Sequence, residues 1–154
     1  MPPKYEQPDP IRHSHSTQRT YVPTLPHLSA DALRTAAEQT QPQPCRCALR
    51  PTAGWESFTE DRWPRAQMQG LGTLRDPDIY EPTTEEHHPN GTRYASPDAP
   101  LAVTNFPCNL SDVYACRTCR QVLLRYTEFG GYYVDHRVRM VNTALVVQVP
   151  HTAQ

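Results

Sequence analysis

The chain has no long apolar run. No stretch approaches the roughly 20 residues a helix needs to cross a bilayer, so no membrane partner is expected. It also lacks an excess of charge of one sign. Fifteen Lys and Arg against sixteen Asp and Glu leave a formal net charge of −1. Proteins that grip nucleic acid through its phosphates usually carry a basic excess, so nucleic acid is not the expected partner. Apolar residues make up only 37% of the sequence, and there are just six glycines. That apolar share is below the globular norm and excludes a core that runs the whole length. Either part of the chain is loosely ordered, or something besides apolar burial holds it together. The opening residues, Met1-Pro2-Pro3-Lys4-Tyr5-Glu6-Gln7-Pro8, contain no apolar segment of the secretory kind. A cytoplasmic location is therefore expected, where paired cysteines are metal ligands more often than disulfides.

What the chain does have is proline, 17 residues among 154. A chain of this length suits one domain. Residues 1–27 are polar, proline-rich and aperiodic, and read as an extended N-terminal arm. Residues 28–149 read as a single zinc-stabilised domain, and residues 150–154 as a tail. Leu28 to Gln39 is the helix candidate: Ser29 is a plausible N-cap, Asp31 falls in the first turn, and Pro42 and Pro44 stop it. Residues 45–100 read as irregular, broken by Pro51, Pro64, Pro77, Pro82, Pro89, Pro97 and Pro100, with a tight turn at Asn90-Gly91. Strands are expected at 113–115, 121–126, 132–138 and 145–149, with Gly130-Gly131 as a hairpin turn, and residues 137–141 alternate polar with apolar as a half-buried strand should. The predicted class is α+β: a small antiparallel sheet with a zinc-ribbon-like knuckle, one short N-terminal helix and long irregular loops.

The five cysteines fall as Cys45-Arg46-Cys47, a lone Cys108, and Cys116-Arg117-Thr118-Cys119. Zinc takes four ligands in a tetrahedron, and thiolates at short spacing suit it. A C-x-x-C between two strands sits where the knuckle of a zinc-ribbon hairpin sits. The expected metal ligands of one structural Zn2+ are Cys45, Cys47, Cys116 and Cys119. Such a site contributes on the order of 10 kcal/mol to folding. It would clamp the irregular middle against the sheet. Two other readings stand beside it: buried thiols with no metal, and a redox pair, which normally opens a helix instead. Cys108 reads as a small apolar residue that could still replace one ligand.

Arg125-Tyr126-Thr127-Glu128-Phe129-Gly130-Gly131-Tyr132-Tyr133 is dense in Tyr and Arg, which are enriched at binding hot spots. Arg125, Tyr126, Glu128, Tyr132 and Tyr133 are the candidate partner-binding residues. Ordinary cross-strand pairing of aromatics and charges explains the same pattern. No catalytic set is visible. The sequence holds no G-x-S-x-G, H-E-x-x-H or phosphate-cradling glycine loop. A zinc with four thiolates has no open position, and nothing assigns Glu128 a partner for acid–base work. The chain is therefore not expected to be an enzyme.

Residues 113–119 (Val-Tyr-Ala-Cys-Arg-Thr-Cys) and 124–139 (Leu-Arg-Tyr-Thr-Glu-Phe-Gly-Gly-Tyr-Tyr-Val-Asp-His-Arg-Val-Arg) resemble a group of small proteobacterial proteins. Their pattern is an aromatic, a C-x-x-C, then L-R-Y-T-E-x-G-G-Y-Y and a charged R-[IV]-R. In size and irregularity the chain is similar to immunity proteins of bacterial toxin systems, including antidotes to effectors delivered by type VI secretion. The resemblance implies a toxin inhibitor whose partner is a cognate toxin or effector, and it carries no catalytic residues. The alternatives are a zinc-ribbon module that binds nucleic acid or a larger complex, with Arg117 and Arg120 beside the ligands, and a hydrolase that reverses a toxin's modification.

Overall fold

The structure is a computed structural model and describes residues 24–39, 49 and 52–150. Helix α1 spans Ala30–Glu38, inside the bounds expected from sequence. Ser29 is its N-cap, with an extended backbone and a hydroxyl that accepts from the Ala32 N–H at 3.1 Å. Asp31 lies in the first turn and pairs with Arg34 at 2.7 Å. Ala30, Leu33 and Ala37 are buried. They recur three and four residues apart, so one stripe faces the core. A helix this short persists only by such packing.

The strands are β1 (Glu56–Phe58), β2 (Met68–Thr73), β3 (Leu101–Ala102), β4 (Asp112–Cys116), β5 (Val122–Phe129), β6 (Val134–Met140) and β7 (Val146–Val147). A five-stranded antiparallel sheet runs in the order β1-β6-β5-β4-β2. Strands β3 and β7 form a separate parallel pair. One helix with an antiparallel sheet makes the class α+β.

Two sequence expectations change. The stretch 45–100, read as irregular, supplies both edge strands of the sheet. Strand β2 escapes its sequence pattern because Gly70 and Gly72 interrupt the apolar alternation. Gly72 is there for space: a Cβ would stand 2.5 Å from Leu28 Cγ and 2.7 Å from Pro26 O. Residues 26–28 run against β2 at that point, with Leu28 N–H donating to Thr73 O and Thr73 N–H to Pro26 O, both at 2.9 Å. The second change is at the C-terminal strand. The expected 145–149 shrinks to β7 and pairs in parallel with β3 instead of joining the sheet. Asn142 caps a 3-10 turn at Thr143–Leu145, its Oδ1 accepting from Ala144 N–H at 3.1 Å, and this turn separates β7 from β6.

Of the expected arm, residues 24–27 are described, and His27 bridges to Thr73; residues 1–23 lie outside the described residues. Of the expected tail, only Pro150 is described.

The period of two sorts the sheet's side chains onto two faces. Val113, Ala115, Val122, Leu124 and Tyr126 share a cluster with Leu33 of α1, Trp55 and Leu101. Leu123, Cys116, Met68, Phe58 and Val138 share another with Trp63 and Leu49. Each face is thus covered by segments remote in sequence. Full burial of a side chain such as Leu33 or Leu124 contributes about 1.5–3 kcal/mol.

Candidate functional site

The C-x-x-C lies in the connection from β4 to β5. Cys116 N–H donates to Gln121 O at 2.9 Å, and Arg120 N–H donates to Cys116 O at 2.8 Å. Arg120 closes the turn with φ 63°, a left-handed conformation that costs a non-glycine residue about 1–2 kcal/mol. Arg117 N–H donates to Gln67 O at 2.8 Å and so ties the turn to the segment before β2. This geometry buries Cys116 and Cys119 together in the second core cluster, while Arg117, Thr118 and Arg120 stay at the surface. Leu49, 1% exposed, is in the same cluster. Cys45 and Cys47 lie outside the described residues. Among the described residues, no three His, Cys, Asp or Glu side chains gather as a metal-binding group. Cys108 belongs to the other cluster, and burial pushes its thiol up to about 12.

The second candidate region is the β5–β6 hairpin, where the five expected contact residues separate. Tyr126 is interior, 4% exposed. Its ring stands edge-on to Trp55 at 5.1 Å and to Phe106 at 6.0 Å, and its hydroxyl bonds the Tyr94 hydroxyl. Burial raises the Tyr126 pKa, and the bond to Tyr94 adds to the rise. Burial likewise raises that of Tyr94. Tyr126 therefore belongs to the core and leaves the contact set.

Arg125 is engaged within the fold. It donates from Nη2 to Glu60 Oε1 at 3.1 Å and Oε2 at 3.3 Å, and its guanidinium lies 4.7 Å from the Trp63 ring centroid. Arg65 bonds the same carboxylate, and His136 Nε2 lies 3.6 Å from it. For Glu60, burial acts to raise the pKa, but Arg125, His136 and Arg65 together hold it below the usual carboxylate range. Glu128 is half-exposed, with Arg137 Nε 3.2 Å from its Oε2 and 3.0 Å from Asp135 Oδ2. No sequence pattern joined Glu60 to Arg125 or Tyr94 to Tyr126, because 65 and 32 residues separate them.

Tyr132 and Tyr133 are at the surface, 105% and 57% exposed. Phe129 and Val134 join them, 79% and 60% exposed and paired directly across the strands. The turn holds its shape through Gly130, whose N–H donates to Tyr133 O at 2.9 Å. A Cβ on Gly130 would lie 2.4 Å from the Tyr133 ring, so that ring rests on the glycine. The hairpin tip thus presents four apolar side chains in succession around one turn. Sequence reasoning missed Phe129 and Val134. Their cue was alternation continued past Thr127, which puts Phe129 on the same face as Val134.

Among the described residues no helix is long and apolar enough to cross a membrane. No protein-family model, curated protein or solved structure matches the chain.

Proposed function

We propose that the chain is a zinc-stabilised immunity protein that binds and neutralises a cognate bacterial toxin in the cytoplasm. The observation that carries this reading is the hairpin tip. Exposed large apolar side chains clustered on a folded surface mark interaction sites more often than chance placement does, and aromatic residues dominate binding hot spots. Phe129, Tyr132, Tyr133 and Val134 form such a cluster. The contact surface is accordingly the tip, with Glu128 at its rim. The resemblance of residues 113–119 and 124–139 to the proteobacterial group supplies the class of partner.

The zinc part of this reading rests on the residues at the other end of β5. The β4–β5 turn brings two buried cysteines into one cluster. Leu49 is buried in that cluster as well. Cys45, Cys47, Cys116 and Cys119 would hold the ion. Bound there, it would act as a fourfold thiolate cross-link with no open position for chemistry.

Two experiments test these parts. The gene next to this one should encode a toxin, and co-expression of this chain should restore growth to cells that make it. Phe129→Ser/Tyr132→Ser/Tyr133→Ser should lose that protection while keeping its melting temperature. Full protection by this variant would refute the tip as the contact. For the metal, purified protein should contain about one zinc per chain. Cys116→Ser should lose both the metal and much of the stability, and a metal-free protein of unchanged stability would refute the site.

The runner-up, a module that binds nucleic acid, draws on the exposure of Arg117 and Arg120 beside the cysteine turn. Salt-sensitive retention of generic DNA or RNA in a filter assay would favour it over toxin binding.

A further inference from the structure

The chain has four asparagines, and the fold ties down the side chains of three. Asn105 Nδ2 donates to Glu85 O at 3.4 Å, and its Oδ1 accepts from Thr104 Oγ1 at 3.4 Å. Asn109 is 5% exposed, and its Nδ2 donates to Thr83 O at 2.9 Å. Asn142 Oδ1 accepts from Ala144 N–H at 3.1 Å. Asn90 differs from all of these. It is exposed, and among the described residues its amide has no hydrogen-bond partner. It is also the one asparagine followed by glycine; Phe106, Leu110 and Thr143 follow the others.

Asn90 lies in the turn His88 to Gly91, within the long connection from β2 to β3. Pro89 and Asn90 are its two central residues. The bond that closes the turn runs from Gly91 N–H to His88 O at 3.3 Å, beyond the usual limit of about 3.2 Å. Gly91 has φ 76°, which glycine adopts freely. A Cβ built on it would meet no atom within 4 Å, so the space around it is open.

The chain on either side of this turn is anchored. Upstream, Phe106 N–H donates to Glu85 O at 2.9 Å. Downstream, Arg93 N–H donates to Ser96 Oγ at 2.9 Å. At the base of the turn, His88 Nδ1 and Thr92 Oγ1 are bonded at 2.9 Å. Releasing the long Gly91 bond therefore moves only the tip of the turn and leaves the fold in place.

We propose that Asn90 is a site of spontaneous deamidation in the folded chain, with water as the co-reactant. The Gly91 nitrogen gives its proton to solvent base and attacks Asn90 Cγ. A bond forms between that nitrogen and Cγ, the bond from Cγ to Nδ2 breaks, and Nδ2 takes up a proton and leaves as ammonia. Water then opens the five-membered succinimide. Cleavage between Cγ and the ring nitrogen gives aspartate. Cleavage between the main-chain carbonyl carbon of residue 90 and the same nitrogen gives isoaspartate. The reaction needs an amide free to swing onto the next nitrogen, a weak bond on that nitrogen, and no side chain crowding the ring. Asn90-Gly91 meets all three conditions. The other asparagines fail through their hydrogen bonds and the side chains that follow them. Either product adds a negative charge to a segment that already carries Glu85 and Glu86. Isoaspartate also lengthens the main chain by one methylene, so the bond from Gly91 to His88 is lost. The chain thereby acquires an aged form, altered at this turn.

The test incubates the full-length chain in mildly alkaline buffer at physiological temperature and follows it by trypsin digestion and mass spectrometry. Trypsin cuts after Arg75 and Arg93, and the peptide 76–93 holds Asn90 as its only amide side chain. The same peptide, synthesised, is the positive control. In the folded chain, 76–93 should convert to two separable species, each heavier by the exchange of NH2 for OH. The peptides that carry Asn105, Asn109 and Asn142 should keep their mass. Conversion should slow in mildly acidic buffer, where the Gly91 nitrogen loses its proton less readily. Gly91→Ala should lose most of the conversion while its melting temperature stays close to that of the parent chain. Asn90→Asp supplies the standard for one product. The proposal is overturned if the folded chain leaves 76–93 unchanged over a period in which the free peptide converts, or if another asparagine converts as fast. A single product, aspartate alone, would also overturn it, because direct hydrolysis of the amide would then bypass the Gly91 nitrogen.

Discussion

Tyr126 and Phe129 lie three residues apart on one strand, one in the core and the other in solvent, and replacing each should give opposite results. Tyr126→Phe keeps the ring and removes one hydroxyl. The bond lost is to Tyr94, and a neutral hydrogen bond contributes about 0.5–1.5 kcal/mol net. Tyr94 is only partly buried, so its hydroxyl can turn to water, and the cost should fall toward the lower end, about 0.5–1 kcal/mol. Tyr126→Ala removes the ring as well. That ring meets Trp55 and Phe106 edge-on and is 4% exposed, so the loss should reach about 3–5 kcal/mol. Phe129→Ser, from a side chain 79% exposed, should change stability by no more than about 0.5 kcal/mol. Urea denaturation followed by tryptophan fluorescence measures all three, because Trp55 packs on Tyr126. For a chain of this size 1 kcal/mol is about 2–4 °C in melting temperature, so Tyr126→Phe is resolvable and Tyr126→Ala is severe. A Tyr126→Ala variant that loses less than about 1 kcal/mol would refute the placement of Tyr126 in the core. The contact surface would then have to be redrawn to include it.

Two further predictions concern stability. Gly72→Ala should destabilise by about 1–3 kcal/mol, because its Cβ would press on Leu28 and on Pro26 O; Gly131→Ala, with open space around its Cβ, is the control, and equal melting temperatures for the two would contradict the close approach of residues 26–28. The pH dependence has a definite sign. The Cys108 thiol rises from 9.0 to about 12 on folding, so its protonated form is favoured in the folded state. That contribution is complete below pH 9 and declines as pH climbs toward about 12. The raised pKa values of Tyr94 and Tyr126 act in the same direction above pH 10. Urea midpoints should therefore fall between pH 8.5 and 10.5, and Cys108→Ala should flatten the early part of that fall; an unchanged slope would mean the thiol is not buried.

Much of the local structure was legible in the sequence. Ser29 followed by Asp31 and an alanine-rich, three-and-four-spaced run specifies where α1 begins, because capping and dipole effects act within one turn. Residues 113–115, 121–126 and 132–138 are strand-like through side-chain type, residues 137–141 through their period, and the glycines at 130–131 mark the turn between two of the strands. Strand β2 was not legible, because Gly70 and Gly72 answer to the passage of Leu25 and Leu28 and not to any local preference. The same distinction governs the candidate site. Alternation decides that Tyr126 and Phe129 project to opposite faces of β5, but not which face is covered at each point. Trp55, Tyr94 and Phe106 cover Tyr126 from 71, 32 and 20 residues upstream, and among the described residues nothing comparable covers Phe129. Periodicity is a property of a few neighbouring dihedral angles and can be read from a short segment. Cover is a property of segments that meet only after the chain has closed, and here it alone separates a core tyrosine from an exposed aromatic tip.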